Sequence, residues 1–278
     1  MDTIAEAIGK IEKLKIETTR RCPLSIKHTK CPVAILNKEF NDSLDVEVLF
    51  SFLQKMIDYG CKAQILLYMY NEPSVDCKLS YIIHYIRDHM GITNHVMFDT
   101  NGWGLDEQTI RMLFDIGLDR IVITGYTDEE YQRFKNIKEK LFSDESFDRT
   151  KKILNVRAVS DEHTQSKMSM VETYSVFKLD ERLDYYKAGE GQLCNVNISD
   201  FSCVKLDTLL CVSATGEVTM CEYDWKQTVS FGNLYKDSLE DIITNKIKFN
   251  DRAYKQSILP DVCTRCVHYY GLRKTNEQ

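Results

Sequence analysis

The chain has 278 residues, 43% of them hydrophobic, enough for one large domain or for one domain with a small appendage. Its formal net charge is −6 with no basic stripe, which argues against nucleic acid as the main partner. The longest apolar runs, VEVLF and AQILLYMY, are too short to span a bilayer, and the first residues lack a basic-then-apolar export signal. No membrane attachment and a cytoplasmic location are therefore expected. In such a chain, ten cysteines point to metal or redox chemistry rather than to disulfides.

From residue 14 to about 160, short β-like runs alternate with amphipathic helical runs, the pattern of parallel strands with helical crossovers. LKIETT is the first strand, and it runs into a loop holding Cys22 and Cys31, each followed by proline. DVEVLFSFLQKMIDYG is a helix ending on Gly60, a C-cap candidate. AQILLYMY is the second strand, followed by NEP and the helix KLSYIIHYIRDHMG. HVMFDTNG is the third, and its helix DEQTIRMLFDIG is expected to begin at an Asp106 N-cap. RIVITG, the helical DEEYQRFKNIKEKLF and the strand KILNVRAV complete the series. Such a series fits an incomplete barrel or an open parallel sheet, with its site in the loops at the strand C-terminal ends.

The cysteines divide by position. Cys61 and Cys77 stand alone and are expected to be packed or bystander thiols, whereas Cys194, Cys203, Cys211, Cys221, Cys263 and Cys266 crowd the last third. A C-x-x-C such as Cys263 and Cys266 presents two thiolates to one metal centre, either a structural zinc or an iron-sulfur cluster.

A cysteine loop after strand one, NEP after strand two and TNG after strand three, in that order, resemble the radical S-adenosylmethionine (SAM) superfamily over about residues 14 to 160. The segment from Cys203 through VKLDTLLCVSAT, Gly216, EVTM, Cys221 and FGNL to CTRC resembles that superfamily's twitch form of the SPASM auxiliary domain. LLYMYNEP, SCVKLDTLLCVSATGEVTMCEYDW and DVCTRC are similar to elements of its 2-deoxy-scyllo-inosamine dehydrogenases.

The resemblance implies an α/β fold: a partial (β/α)6 TIM-like barrel over residues 1–190, and a β-hairpin plus helix auxiliary iron-sulfur domain over 191–278. It implies an oxidoreductase with [4Fe-4S] clusters and SAM, fed by a flavodoxin- or ferredoxin-type reductase. Cys203, Cys221, Cys263 and Cys266 would hold the auxiliary cluster, and Asn71, Glu72 and Pro73 would meet SAM. Asn155 and Arg157 on strand five are expected to alternate faces, one reaching inward to SAM. Lys187, in YYKAGEG, is the cationic candidate for substrate binding and catalysis.

The first loop departs from the family's C-x3-C-x2-C, since eight residues separate Cys22 from Cys31. Counting back from Cys31 puts His28 at the middle position, giving C-x5-H-x2-C. Three readings stay open: ligation by Cys22, His28 and Cys31, a cluster on the two cysteines and another group, or loss of the SAM-cleaving cluster. The expected reaction is oxidation or epimerisation of a small polyhydroxylated or amino-sugar-like substrate, with Cys194 or Cys211 as thiol candidates for the latter. The alternatives are modification of a ribosomal peptide and a non-catalytic scaffold. About a dozen residues precede strand one, which favours a small molecule over a peptide.

Overall fold

The computed structural model describes residues 2–25, 32, 42–91, 94–148, 152–158, 203–256 and 258–264. Its strands are β1 (Lys13–Ile16), β2 (Gln64–Leu66), β3 (Val96–Thr100), β4 (Arg120–Gly125), β5 (Ile153–Ala158), β6 (Leu209–Val212), β7 (Glu217–Thr219) and β8 (Ser230–Asn233). The helices are α1 (Ile4–Gly9), α2 (Val46–Asp58), α3 (Leu79–Met90), α4 (Glu107–Asp115), α5 (Asp128–Ser143), α6 (Val204–Thr208), α7 (Leu239–Gln256) and α8 (Asp261–Thr264).

The helix boundaries follow from local chemistry. Asp45 caps α2 by accepting from the Glu47 and Val48 N–H groups at 2.8 and 3.2 Å, and Asp106 caps α4 through Thr109 N at 2.7 Å. Each such cap stabilises its helix by about 1 kcal/mol. At the far end of α2, Gly60 has φ +76°, and the N–H groups of Gly60 and Cys61 return to Ile57 and Met56. This is the left-handed glycine stop expected from the sequence.

All eight strands lie in one sheet of order β5-β4-β3-β2-β1-β6-β7-β8. The first six are parallel to one another, and β7 and β8 continue the sheet in antiparallel pairing from β6. The mixed α/β fold with a parallel-dominated sheet is thus as expected. The C-terminal hairpin does not stand apart, however. Its β6 pairs with β1 over Lys13–Leu209 to Ile16–Val212, so the sheet runs unbroken from the first motif to the cysteine-rich region.

Ile65, Phe98, Ile121, Ile123, Leu154 and Val156 are buried in the main core with the apolar stripes of α2 to α5. The opposite face carries Leu66, Met97 and Val122, packed with Tyr68. Period-two alternation in a strand separates the two sets. The same alternation corrects the reading of β5. Asn155 and Arg157 are two residues apart and share a face, while Leu154, Val156 and Ala158 fill the helix side. Both polar side chains are half-buried, on the side of Leu66, Met97 and Val122.

Candidate functional site

The three motifs at the ends of β1, β2 and β3 are hydrogen-bonded to one another through Glu72. Its backbone N–H donates to Arg21 O in the cysteine loop at 2.8 Å. Its side chain is 2% exposed, and Oε1 accepts from Ser74 N at 3.0 Å, Ser74 Oγ at 2.7 Å and the Thr100 hydroxyl. Oε2 accepts from Asn101 N at 2.6 Å. Burial raises the carboxyl above its ordinary range, and the bonds from Thr100, Asn101 and Ser74 pull it back. Glu72 therefore acts as a brace between loops, and its carboxylate is occupied by protein donors. Pro73, also buried, opens the one-turn helix Pro73–Val75 that follows.

The TNG turn is set by the same contacts. Gly102 has φ +78° and lies so close to the Phe134 ring that a side chain there would collide with it. Asn101 accepts from Trp103 N through Oδ1 at 2.9 Å, which turns its Nδ2 toward Cys22 Sγ at 3.8 Å. Cys22 and Met69 also pack against the pair Tyr70 and Trp225. The Tyr70 hydroxyl donates to Glu222 O, so one tyrosine joins the first cysteine to the residue beside Cys221. Periodicity had assigned Tyr70 and Trp225 no function; both are aromatic residues at the ends of motifs, and only the fold brings them together.

Glu17 was likewise not singled out by its strand pattern. It is fully buried at the end of β1, lies 3.7 Å from Arg20 Nε and accepts from Ala214 N at 3.1 Å in the β6–β7 turn. Burial pushes its carboxyl up to about 7, against the attraction of Arg20 and bonds from Ala214 and Tyr70. Glu17 thereby ties the first loop to the C-terminal hairpin.

On the sheet face of Leu66, Met97 and Val122, charged groups gather near these loops. Lys15 Nζ lies 3.7 Å from Glu222 Oε1 and 4.8 Å from the centre of the Tyr68 ring. Lys205 Nζ meets the same Glu222 oxygen at 2.5 Å. Burial pushes Glu222 up, but the two lysines outweigh it and hold the carboxyl at about 2. Arg157 pairs with Asp99 at 3.7 Å. Among the described residues, buried Arg157 Nε and Asn71 Nδ2 have no hydrogen-bond partner, whereas Asn71 Oδ1 accepts from Met69 N at 2.9 Å. The two donors lie at different places in the sheet, Asn71 after β2 and Arg157 on β5 with β3 and β4 between them, and each is a separate candidate for a ligand acceptor.

In the C-terminal region Cys203 precedes α6 and is half-buried, while Cys221 and Cys263 are buried. Cys263 Sγ lies 3.9 Å from Met220 Sδ, which places it beside the strand leading to Cys221. Among the described residues, no three His, Cys, Asp or Glu side chains form a group for a single metal ion. Cys211 on β6 is fully buried, and burial raises its thiol well above the usual range; Cys61 is buried in the main core and Cys77 is exposed. His28, Cys31, Lys187, Cys194 and Cys266 lie outside the described residues.

Residues 203–267 match the model of SPASM, an iron-sulfur cluster-binding domain, and the match spans Cys203, Cys221, Cys263 and Cys266. Similar solved structures include BtrN, the 2-deoxy-scyllo-inosamine dehydrogenase, in complex with AdoMet and 2-DOIA: TM-score 0.61 at 18% identity, covering 91% of this chain and 92% of that one. An open conformation of BtrN gives TM-score 0.59 at 15% identity and 92% coverage of each chain. The AdoMet-bound structure of anSMEcpe gives 0.53 at 14% identity, covering 88% of this chain and 82% of that one. The chain thus shares the fold of BtrN and anSMEcpe, and its four C-terminal candidate cysteines fall, as the cysteine pattern led one to expect, within the match to an iron-sulfur cluster-binding domain. No curated protein sequence matches it. No helix among the described residues is long and apolar enough to cross a membrane.

Proposed function

We propose that the chain is a radical SAM oxidoreductase that oxidises or epimerises a small polyhydroxylated or amino-sugar-like molecule. The observation that carries this reading is the hydrogen-bonded junction of the three loops at Glu72, with Cys22 held at its edge and joined through Tyr70 to the region that matches SPASM. When bound at the first loop, a [4Fe-4S] cluster supplies the electron that splits SAM into methionine and a 5′-deoxyadenosyl radical able to take hydrogen from a substrate carbon.

This chain's own residues position and exclude. Cys22 and Cys31, with His28 as the third ligand, would hold the first cluster; Cys203, Cys221, Cys263 and Cys266 would hold the second. Residues 1–190 form the first unit of this reading and 191–278 the second. Glu72 and Pro73 fix the loop that receives SAM, Asn71 offers its spare amide N–H, and Arg157 offers its spare guanidinium N–H from the same face as Asn155. Lys15, Glu222, Lys205, Tyr68 and Asp99 add charged and hydroxyl groups that suit a substrate rich in hydroxyls or amines. Lys187 is the candidate for contact with the reacting end of the substrate. A flavodoxin- or ferredoxin-type reductase would deliver the electron.

Anaerobic reconstitution followed by iron, sulfide and SAM-cleavage assays tests this. Two clusters predict about eight irons per chain, with Cys22→Ser losing about half of them together with SAM cleavage. About four irons and no cleavage in the parent protein would leave only the auxiliary site and support the scaffold reading. Cleavage stimulated by a peptide instead of a polyol would move the substrate to the peptide class. Single alanine variants of Cys203, Cys221, Cys263 and Cys266 that all keep full iron would refute the auxiliary ligand set, and zinc in its place would establish a structural metal.

A further inference from the structure

Lys246, on the inner side of α7, is 2% exposed. Its Nζ donates to Leu206 O, to Leu209 O at 3.2 Å, and sits 5.6 Å from the centre of the Phe231 ring. It forms no ion pair among the described residues. Asp207, the carboxylate nearest in sequence to these carbonyls, is occupied by Asn250 Nδ2 at 2.9 Å and the Tyr254 hydroxyl at 3.1 Å. A buried ammonium partnered by neutral carbonyls is costly, because dipoles replace only part of its hydration.

The surroundings supply a reason to keep it. Leu206 and Leu209 follow Cys203 on α6 and at the start of β6, and Tyr254 reaches back from α7 to Cys203 O at 2.8 Å. Burial pulls Lys246 down to about 8, while Asp207 and the thiols Cys211, Cys203 and Cys221 act in the opposite direction, so the amine is a cation at neutral pH.

We propose that Lys246 is the built-in counter-ion of an anionic cluster on Cys203, Cys221, Cys263 and Cys266, and that its charge raises the reduction potential of that cluster. This rests on the reading of those four cysteines as ligands. A positive charge held in a low-dielectric interior favours the more negative, reduced state of a nearby centre, and charge and solvent exposure are among the levers that set iron-sulfur potentials. Lys246 is an electrostatic partner and need not touch the cluster. The competing role is purely structural: a donor for the carbonyls where α6 runs into β6.

Three substitutions separate the two in full-length protein carrying Cys22→Ser, which leaves the auxiliary site alone. Lys246→Gln keeps a donor without charge, Lys246→Met removes both in similar volume, and Lys246→Arg keeps the charge. The measurement is a redox titration followed by electron paramagnetic resonance, with iron counted for each variant. The proposal expects the Gln and Met variants to hold the cluster with the reduction equilibrium shifted at least tenfold toward the oxidised form, about 59 mV for one electron, and Arg to stay near the parent. Loss of the cluster in Gln and Met but not in Arg would support it equally. Unchanged potentials in Gln or Met would overturn it, as would loss of iron in all three variants, which marks a packing role. No iron in the Cys22→Ser parent would instead refute the ligand reading itself.

Discussion

The backbone N–H of Asn101 donates to the Glu72 carboxylate at 2.6 Å, and the same asparagine turns its side-chain amide to Cys22 Sγ at 3.8 Å. Three loops that are far apart in sequence are therefore positioned by two residues. Glu72→Gln places an NH2 group where one carboxylate oxygen now accepts, opposite either the Asn101 N–H or the Ser74 and Thr100 donors. A donor facing a donor in a buried site costs about 1–3 kcal/mol. We expect a matching loss of stability in chemical denaturation and weaker SAM binding by calorimetry. Unchanged SAM affinity would remove Glu72 from the SAM-binding loop and leave it a fold-bracing role.

Gly102 and Gly104 provide an internal control. Both have positive φ, +78° and +69°, but only Gly102 lies against Phe134 and Ile123, while Gly104 has open space. Alanine at either position bears the left-handed backbone cost of about 1–2 kcal/mol. At Gly102 it adds overpacking of about 1–3 kcal/mol. Gly102→Ala should therefore lower the denaturation midpoint clearly more than Gly104→Ala. Equal losses would show that the turn moves away from Phe134 at little cost.

Much of the sheet was legible because each of its parallel strands up to β5 alternates with a helix whose caps and apolar spacing are local signals. Asp106, Gly60 and the order of the three loops are examples. β2 was less so: the apolar run to Tyr70 suggested a long strand, but pairing stops at Leu66. Beyond it, Asn71 Oδ1 bonds back to Met69 N and Tyr70 reaches Glu222. Those residues are apolar for packing rather than for strand pairing. The β1–β6 pairing has no local signature at all, because it joins segments from opposite ends of the chain. Glu17 and Lys246 were missed for a related reason. Each is an ordinary charged residue in its own pattern, and only tertiary burial makes it unusual.

Glu17 gives the protein a pH dependence of definite sign. Its carboxyl is raised from 4.5 to about 7 in the fold, so between those values the folded state binds the proton more tightly than the unfolded chain does. The contribution of this group to stability is greatest below about pH 4.5, declines as pH rises through that window and is fully lost above pH 7. Taken at face value, a shift of this size corresponds to about 3 kcal/mol. Glu17→Gln, which stays neutral, should have a stability advantage over the parent at pH 8 that shrinks or reverses at pH 5. Parallel pH profiles of the two proteins by urea denaturation would show that Arg20 and Ala214 keep the carboxylate ionised in the fold.

Asn101 also bears on the first loop directly. An N–H group aimed at a thiolate sulfur withdraws electron density, and hydrogen bonds to cluster sulfurs are among the determinants of their potentials. If Cys22 ligates a cluster, Asn101→Ala should lower its potential, and Asn101→Asp should lower it further by setting an acceptor and a negative charge beside the sulfur. Both variants release the Trp103 N–H from its Oδ1 partner, or alter that bond, at an exposed turn, where the cost is on the order of 1 kcal/mol. The backbone bond from Asn101 to Glu72 survives either change, so the brace remains. The measurement is the potential of the SAM-responsive paramagnetic signal in protein lacking Cys203, Cys221, Cys263 and Cys266, in which the first loop is the remaining cluster site. The expected order is parent highest, then Ala, then Asp. A signal whose potential ignores both changes would mean that Asn101 supports the turn alone, and no signal in the parent would mean that the loop of Cys22 holds no cluster.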